Sequence, residues 1–123
     1  MIYYMEQSIF DQLGGFPTVR KVVMEFYQNV LDEDELASYF AKTNMERLID
    51  HQTKFVSFLL GGPATFSDDH LHKVHARLKI TDPHFDMILE ILADAFEEFE
   101  VDDEIINMVA GEYEKRRSLI VTA

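Results

Sequence analysis

Apolar residues recur at steps of three and four along most of the 123-residue chain, and no stretch alternates long enough to build a sheet. The clearest such run comprises Val19, Val22, Val23, Phe26, Tyr27 and Val30. Residues that begin or end helices separate the runs. Gly14-Gly15 end a short first helix over residues 8–13, and Pro17 fits the first turn of the second helix. We therefore predict an all-α fold in one domain, residues 1–123.

The later helix boundaries are also marked by capping residues. Asn44 is a candidate N-cap for a helix over 45–60, Ser67 begins the next helix, Thr81 or Asp82 caps another, and Asp102 opens the last. The segment between the second helix and Asn44 is predicted to be a short turn that carries Leu36, Tyr39 and Phe40. The helix over 45–60 is expected to present one broad inner face made of Leu48, His51, Gln52, Phe55, Phe58 and Leu59.

The charge balance and the lack of cysteine exclude several classes of function. The chain has 11 basic and 23 acidic residues, a net charge of −12, and no cationic cluster suited to a nucleic-acid duplex. We therefore expect no nucleic-acid partner. Because there is no cysteine, disulfides, thiolate zinc sites, iron–sulfur ligation and cysteine nucleophiles are excluded.

No apolar run approaches the roughly 20 residues that cross a bilayer. Residues 1–10 lack the basic and apolar segments of a signal peptide. We therefore expect a cytoplasmic protein without a membrane partner, present as a monomer or a weak dimer.

Two histidines on successive predicted helices carry the main functional signal. His51 precedes the Gly61-Gly62-Pro63 loop and His75 follows it, while Tyr27 comes from an earlier helix. Iron in a porphyrin needs such an arrangement, with one imidazole as a fixed axial ligand and polar side chains on the opposite side.

A zinc site is an alternative use of the histidines. His72 and His75 lie three residues apart and can share one helix face, with His70 nearby and Asp68 or Asp69 as a further ligand. Otherwise His70, His72 and His84 are expected at the surface.

The phenylalanine stripe is by itself typical of a helical core without a cofactor. However, the polar side chains of Tyr27, His51 and Gln52 fall on the same inner faces. Each buried polar group without a partner costs about 1–3 kcal/mol. Three of them together indicate a shared ligand rather than packing alone.

The chain resembles the truncated haemoglobins, group 1, over residues 9–120. The resemblance rests on the order and spacing of Leu13-Gly14-Gly15, Phe26-Tyr27, Tyr39-Phe40, His51-Gln52, Phe55, Gly61-Gly62-Pro63, Val74-His75 and Leu92-Ala93-Asp94-Ala95. It implies a two-over-two helical sandwich around haem b, iron protoporphyrin IX.

The resemblance also implies roles on both sides of the haem. The proximal side is that of the ligating histidine, and the distal side is the opposite one, where a gas binds. His75 is the proximal iron ligand, supported by the carbonyl group of Leu71. Tyr27 and Gln52 are the distal donors to bound oxygen, and Leu48 takes the distal-gate position.

For the remaining residues, Phe40 packs on the porphyrin edge and Phe55 lines or gates an apolar ligand tunnel. His51 is a candidate distal iron ligand, with contact to a haem propionate as the alternative. Lys73 is a candidate propionate partner, together with Lys42 and Lys54.

The implied function is reversible binding of O2, NO and CO, with the dioxygenation of nitric oxide to nitrate as a further activity that needs a reductase or another electron donor. The alternative is a bis-histidine haem protein for electron transfer or redox sensing. Two features depart from the family pattern. Residues 76–80 lack the glycine that often follows the proximal histidine, and no histidine lies beyond His84 to tie the haem covalently.

Overall fold

The computed structural model describes residues 7–123. The six predicted helices occur in the predicted order, but the predicted turn before Asn44 contains a short helix and a 3-10 turn, and a short helix near the C-terminus was not predicted. They are α1 (Ile9–Leu13), α2 (Phe16–Leu31), α3 (Asp34–Ala37), a 3-10 turn (Ser38–Phe40), α4 (Met45–Leu59), α5 (Asp68–His75), α6 (Asp82–Glu98), α7 (Asp103–Glu114) and α8 (Arg117–Ile120). Within these residues the only β-type pairing is an isolated parallel bridge between Ile80 and Val121. The all-α prediction is confirmed.

The predicted helix starts are built by side-chain capping. Asn44, Ser67 and Thr81 each accept a hydrogen bond from the backbone amide three residues later, which satisfies one of the free N–H groups of α4, α5 and α6. Asp102 is the N-cap residue of α7, but its side chain makes no capping hydrogen bond. The end of α1 needs glycine, because Gly14 has a φ of 111°, in the left-handed region.

The long helices form two pairs. Helix α2 packs on α4, α6 packs on α7, and contacts of α2 with α6 and of α4 with α7 join the pairs. Fully buried side chains at their centre include Val23, Val30, Val56, Phe85 and Phe96. This is the two-over-two layout that the sequence predicted.

Helix α4 has two inner sides rather than the one broad face predicted. Val56 and Ser57 are completely buried in the helix packing, as is Leu60 just beyond the helix. Phe55 is also buried, but Leu48 and Gln52 are only half-buried and His51 is exposed. The side of α4 that bears these last residues therefore faces something other than a neighbouring helix.

The segment after α5 is held by the end of the chain. Lys79 adopts a left-handed conformation, with a φ of 56°, in the stretch where the family pattern often has glycine. The backbone amide of Thr122 donates to the Ile80 carbonyl at 3.1 Å, and the Thr122 hydroxyl donates to the Ala76 carbonyl at 3.3 Å. These contacts fix the chain just beyond His75 without a glycine.

Among residues 7–123, every helix is too short or too polar to cross a membrane. The prediction about the N-terminal ten residues falls partly on residues 1–6, outside the described range.

Candidate functional site

A cavity of about 400 Å³ lies between the two helix pairs and α5. Its volume falls within the range of about 300–1,000 Å³ that is usual for cofactor and ligand pockets. Most of the lining side chains are aliphatic or aromatic, and they come from α2, the 3-10 turn, α4, α5, α6, α7 and α8. Of the predicted site residues, those that line the cavity are Tyr27, Phe40, Leu48, His51, Gln52, Phe55 and His75.

His75, the last residue of α5, lines the cavity with a defined ring orientation. Its Nδ1 lies 2.7 Å from the carbonyl oxygen of Leu71. Because a carbonyl oxygen only accepts, Nδ1 carries the hydrogen and Nε2 keeps a free lone pair. Burial lowers the pKa of His75, an effect that the Leu71 carbonyl opposes and that nearby His70 reinforces. The neutral imidazole is the form that ligates a metal.

Tyr27 lies on α2 and is 6% exposed. Its ring packs edge-on against Phe26 at 4.7 Å and Phe40 at 5.9 Å, measured between ring centroids. Within the described part of the chain, its hydroxyl makes no hydrogen bond. Burial raises the pKa of the Tyr27 phenol well above its usual value. The phenol therefore stays protonated and keeps a donor for a molecule in the cavity.

Gln52, half-buried on α4, makes a hydrogen bond across the cavity wall. Its Nε2 donates to the hydroxyl of Tyr113, which comes from the last turn of α7. Tyr113 was not predicted as a site residue. The signal that could have identified it is a polar side chain on an apolar helix face, as for Tyr27.

The apolar part of the cavity wall contains three of the predicted residues. Phe40 contacts Tyr27, and Leu48 lies on α4 one turn before Gln52. Phe55 packs edge-on between Phe66, at 5.0 Å, and Tyr113, at 5.3 Å, between ring centroids. All three line the cavity itself.

His51 lies at the rim of the cavity. Its side chain is exposed, and its ring centroid is 6.4 Å from that of His70, on α5, at an angle of 37°. His70 also lines the cavity, in addition to being exposed as predicted.

Among residues 7–123, Arg47, on the first turn of α4, is the one arginine or lysine that lines the cavity. Lys73 is exposed and does not line the cavity, because the helical turn of α5 directs it away from the side occupied by His75. Lys42 and Lys54 are likewise exposed and absent from the lining. Arg47 is therefore better placed than these lysines for a propionate contact.

The structure also places the other histidines. His72 is exposed, as predicted, and absent from the lining. Within residues 7–123 no three histidine or acidic side chains come together as metal ligands, which does not support the zinc alternative. His84 is half-buried rather than at the surface, because its Nδ1 shares a 2.6 Å hydrogen bond with the hydroxyl of Tyr39.

The chain matches the family model for bacterial-like globins over residues 8–119. It is 35% identical over 112 residues to a group 1 truncated haemoglobin of Tetrahymena thermophila, covering 91% of this chain and 93% of that protein. It is 36% identical over 104 residues to a group 1 truncated haemoglobin of Mycolicibacterium paratuberculosis, covering 85% of this chain and 76% of that protein.

The chain belongs to the group 1 truncated haemoglobins.

Solved structures support this assignment. The Fe(III) form of a truncated haemoglobin from Tetrahymena pyriformis aligns with a TM-score of 0.84 and 32% identity, covering 94% of this chain and 98% of that one. A 2/2 haemoglobin from a Synechococcus species aligns with a TM-score of 0.86 and 28% identity, covering 95% and 100%. The two-over-two globin fold is confirmed, and this truncated haemoglobin is a haem-binding globin.

The residues present in this truncated haemoglobin fit the group that its family binds. The cavity offers one neutral imidazole with a free Nε2 lone pair, apolar and aromatic walls, and an unpaired tyrosine hydroxyl. An apolar pocket with one nitrogen ligand suits an iron porphyrin. Six polar residues of the wall and the half-buried aromatic Phe66 were not predicted as site residues; the six are Tyr39, Thr43, Asn44, Arg47, His70 and Tyr113.

Proposed function

We propose that this globin holds haem b, iron protoporphyrin IX, and reversibly binds O2 and the other diatomic gases CO and NO, with dioxygenation of nitric oxide to nitrate as a further activity. The observation that carries the proposal is the His75 imidazole. Its Nδ1–H donates to Leu71, which leaves Nε2 with a free lone pair. His75 lines the same cavity as Tyr27, whose hydroxyl has no hydrogen bond among residues 7–123.

His75 is the residue that we assign to the iron. The Leu71 carbonyl, 2.7 Å from Nδ1, sets the tautomer and limits rotation of the ring. A hydrogen bond to the outer nitrogen of a ligating histidine also raises its basicity. His75 would thereby hold the cofactor, and Tyr27 on α2 and Gln52 on α4 would supply hydrogen-bond donors in the same cavity.

When bound, haem iron supplies the reversible binding of diatomic gases and the one-electron step by which nitric oxide and oxygen together become nitrate. The chain contributes hydrogen-bond donors on the distal side. Tyr27 keeps its proton because burial raises its pKa, and Gln52 lies on the facing helix. Oxygen accepts such hydrogen bonds far better than carbon monoxide, so these donors favour retention of oxygen.

His51 and Arg47 act at the rim of the cavity. Both line it and both are exposed, so they can meet the carboxylate groups of a porphyrin edge that reaches solvent. Arg47 is permanently charged and suits a carboxylate partner. This assignment leaves the distal side of the iron free for a gas, whereas the bis-histidine electron-transfer alternative needs His51 inside the cavity.

The proposal includes further partners and conditions. Nitrate formation consumes one electron from the ferrous iron. An electron donor such as a reductase must therefore return the iron from the ferric to the ferrous state after each turnover. The haem has no covalent tie to a histidine of the last helices, because residues 85–123 contain no histidine. We also propose that the protein acts in the cytoplasm as a monomer or a weak dimer.

The experiment is reconstitution of the purified chain with haemin, followed by reduction and exposure to each gas. We expect an intense Soret band, reversible spectral changes with O2 and CO, and one nitrate per haem when oxygen-saturated ferrous protein meets nitric oxide. Absence of a Soret band would contradict haem binding. A normal Soret band without oxygen binding would contradict the gas-binding function alone.

A further inference from the structure

Tyr113 carries a buried hydroxyl group, and helix packing alone does not explain why this position is a tyrosine rather than an apolar residue. It lies in the last turn of α7, is 4% exposed, and lines the cavity together with Tyr27 and Gln52. Buried tyrosine hydroxyls normally have a hydrogen-bond partner. Here the partner is the Gln52 side chain on another helix, so the hydroxyl connects α7 to the distal side of the cavity.

The ring of Tyr113 is held in one place by aromatic packing. Phe55 meets it edge-on at 84°, with ring centroids 5.3 Å apart. Phe66 contacts the same Phe55 ring at 5.0 Å, and the Arg116 guanidinium lies 5.6 Å from the Phe55 centroid. A hydroxyl on so confined a ring can fix the direction of a flexible amide.

The hydrogen bond leaves a donor available to the cavity. If the Gln52 amide donates to Tyr113, the phenol hydrogen has no partner among the described residues. If the amide is turned by 180°, the phenol donates to its oxygen and the NH2 group is released instead. Either arrangement presents a donor of the pair to a ligand.

We propose that Tyr113 is a positioning residue of the distal site, which orients the Gln52 amide toward the bound gas and thereby selects ligands that accept hydrogen bonds. The inference rests on the proposed gas-binding function. It adds α7 to the elements that determine oxygen retention, beside Tyr27 on α2 and Gln52 on α4.

The protonation state of the Tyr113 phenol is consistent with its role in orienting Gln52. Burial, and secondarily the neighbouring Tyr27, raise the pKa of the Tyr113 phenol well above its usual value, while Arg116 opposes them. The phenol therefore keeps its hydrogen at neutral pH. It can both accept from and donate to the amide.

The test is a double-mutant cycle on the haem-loaded ferrous protein with Tyr113→Phe, Gln52→Leu and both together. The readouts are the oxygen dissociation rate and the C–O stretching band of the carbon monoxide complex. We expect Tyr113→Phe to speed oxygen loss by about three- to tenfold, the effect of losing one hydrogen bond. The C–O band should move to higher wavenumber, because fewer positive dipoles then face the ligand.

The cycle distinguishes positioning from packing. If Tyr113 acts through Gln52, the double variant should lose oxygen no faster than Gln52→Leu alone. Thr53→Val is the matched control, because it removes a buried hydroxyl from α4 that bonds the Ile49 carbonyl at 2.7 Å and does not line the cavity. It should leave the oxygen dissociation rate and the C–O band unchanged.

Two results would overturn the inference alone: a wild-type protein that binds oxygen while Tyr113→Phe releases it at the same rate, or effects of the two substitutions that simply add. Failure of the wild-type protein to bind haem or oxygen would instead overturn the proposed function. If Tyr113→Phe folds poorly, Tyr113→Leu also removes the hydroxyl and takes its place in the same cycle with the same expected results.

Discussion

The Nδ1 nitrogen of His75 lies 2.7 Å from the carbonyl oxygen of Leu71, one helical turn earlier in α5. Because the carbonyl accepts, the opposite ring nitrogen is free to ligate a metal in the cavity. The helix that carries the imidazole therefore also sets its tautomer.

Tyr27→Phe should weaken oxygen binding without harming the fold. The substitution keeps the packed ring and removes only a hydroxyl that has no hydrogen bond among the described residues. Losing a hydrogen bond to a charged acceptor should raise the oxygen dissociation rate roughly 10- to 100-fold. Flash photolysis or stopped-flow mixing measures the rate, and carbon monoxide, a poor acceptor, should leave at nearly the wild-type rate. An unchanged oxygen rate would remove Tyr27 from the distal site.

His51→Ala should leave the ferrous spectrum unchanged. His51 lines the cavity but is exposed beside His70, and this rim position favours contact with a haem carboxylate. We therefore expect a broad five-coordinate band in the wild type and in the variant. Sharp, split six-coordinate bands that disappear in His51→Ala would show that this histidine ligates the iron. Thr53→Val, on the same helix, is a control for general effects of substitution.

Arg47→Gln should speed haem loss, whereas Lys73→Gln should not. Arg47 lines the cavity, while Lys73 is exposed and outside the lining. An exposed ion pair contributes little, so we expect haem transfer to an excess of a haem acceptor to become about two- to fivefold faster. The difference should shrink at high salt, because exposed charges are screened. Equal effects of the two substitutions would contradict the assignment of Arg47.

The folded chain should lose stability at alkaline pH because of its two buried phenols. Burial raises the pKa of Tyr27 and of Tyr113 above the free value of about 10. The unfolded chain releases these protons near pH 10 and the folded chain keeps them. The stability contribution is thus complete below about pH 10 and is lost as the pH rises further.

Replacing either tyrosine by phenylalanine should therefore reduce the loss of folding stability with rising pH above about pH 10. In circular dichroism of the protein across alkaline pH, Tyr27→Phe and Tyr113→Phe should lose less stability per pH step than the wild type. Thr53→Val, which removes a hydroxyl that does not titrate, should keep the wild-type slope. Equal slopes in all four proteins would mean that the two phenols ionise without unfolding.

The parts of the structure that depend on local sequence could be predicted well. Capping by Asn44, Ser67 and Thr81 depends only on residues within one turn, and the apolar period of α2 identifies its buried face. The Leu71 acceptor for His75 also lies within one turn. Such short-range relations follow from helix geometry alone.

Relations across the fold could not be predicted in the same way. The sequence alone does not distinguish Tyr113 from other residues on the inner side of α7. Its role depends on a hydrogen bond to Gln52, which lies 61 residues earlier in the chain. The choice of Arg47 over Lys73 depends on which side of each helix faces the cavity. The partial burial of His84 could not be predicted, because its hydrogen-bond partner, Tyr39, lies 45 residues away in the chain.

The most direct test of the account is the Soret spectrum and haem retention of His75→Ala beside His72→Ala. His72 lies three residues earlier on α5, is exposed and does not line the cavity, so its removal should leave both properties unchanged. His75→Ala should lose the wild-type Soret spectrum and release haem, and added imidazole should restore the spectrum. Wild-type colour and haem retention in His75→Ala would contradict the assignment of His75 to the iron.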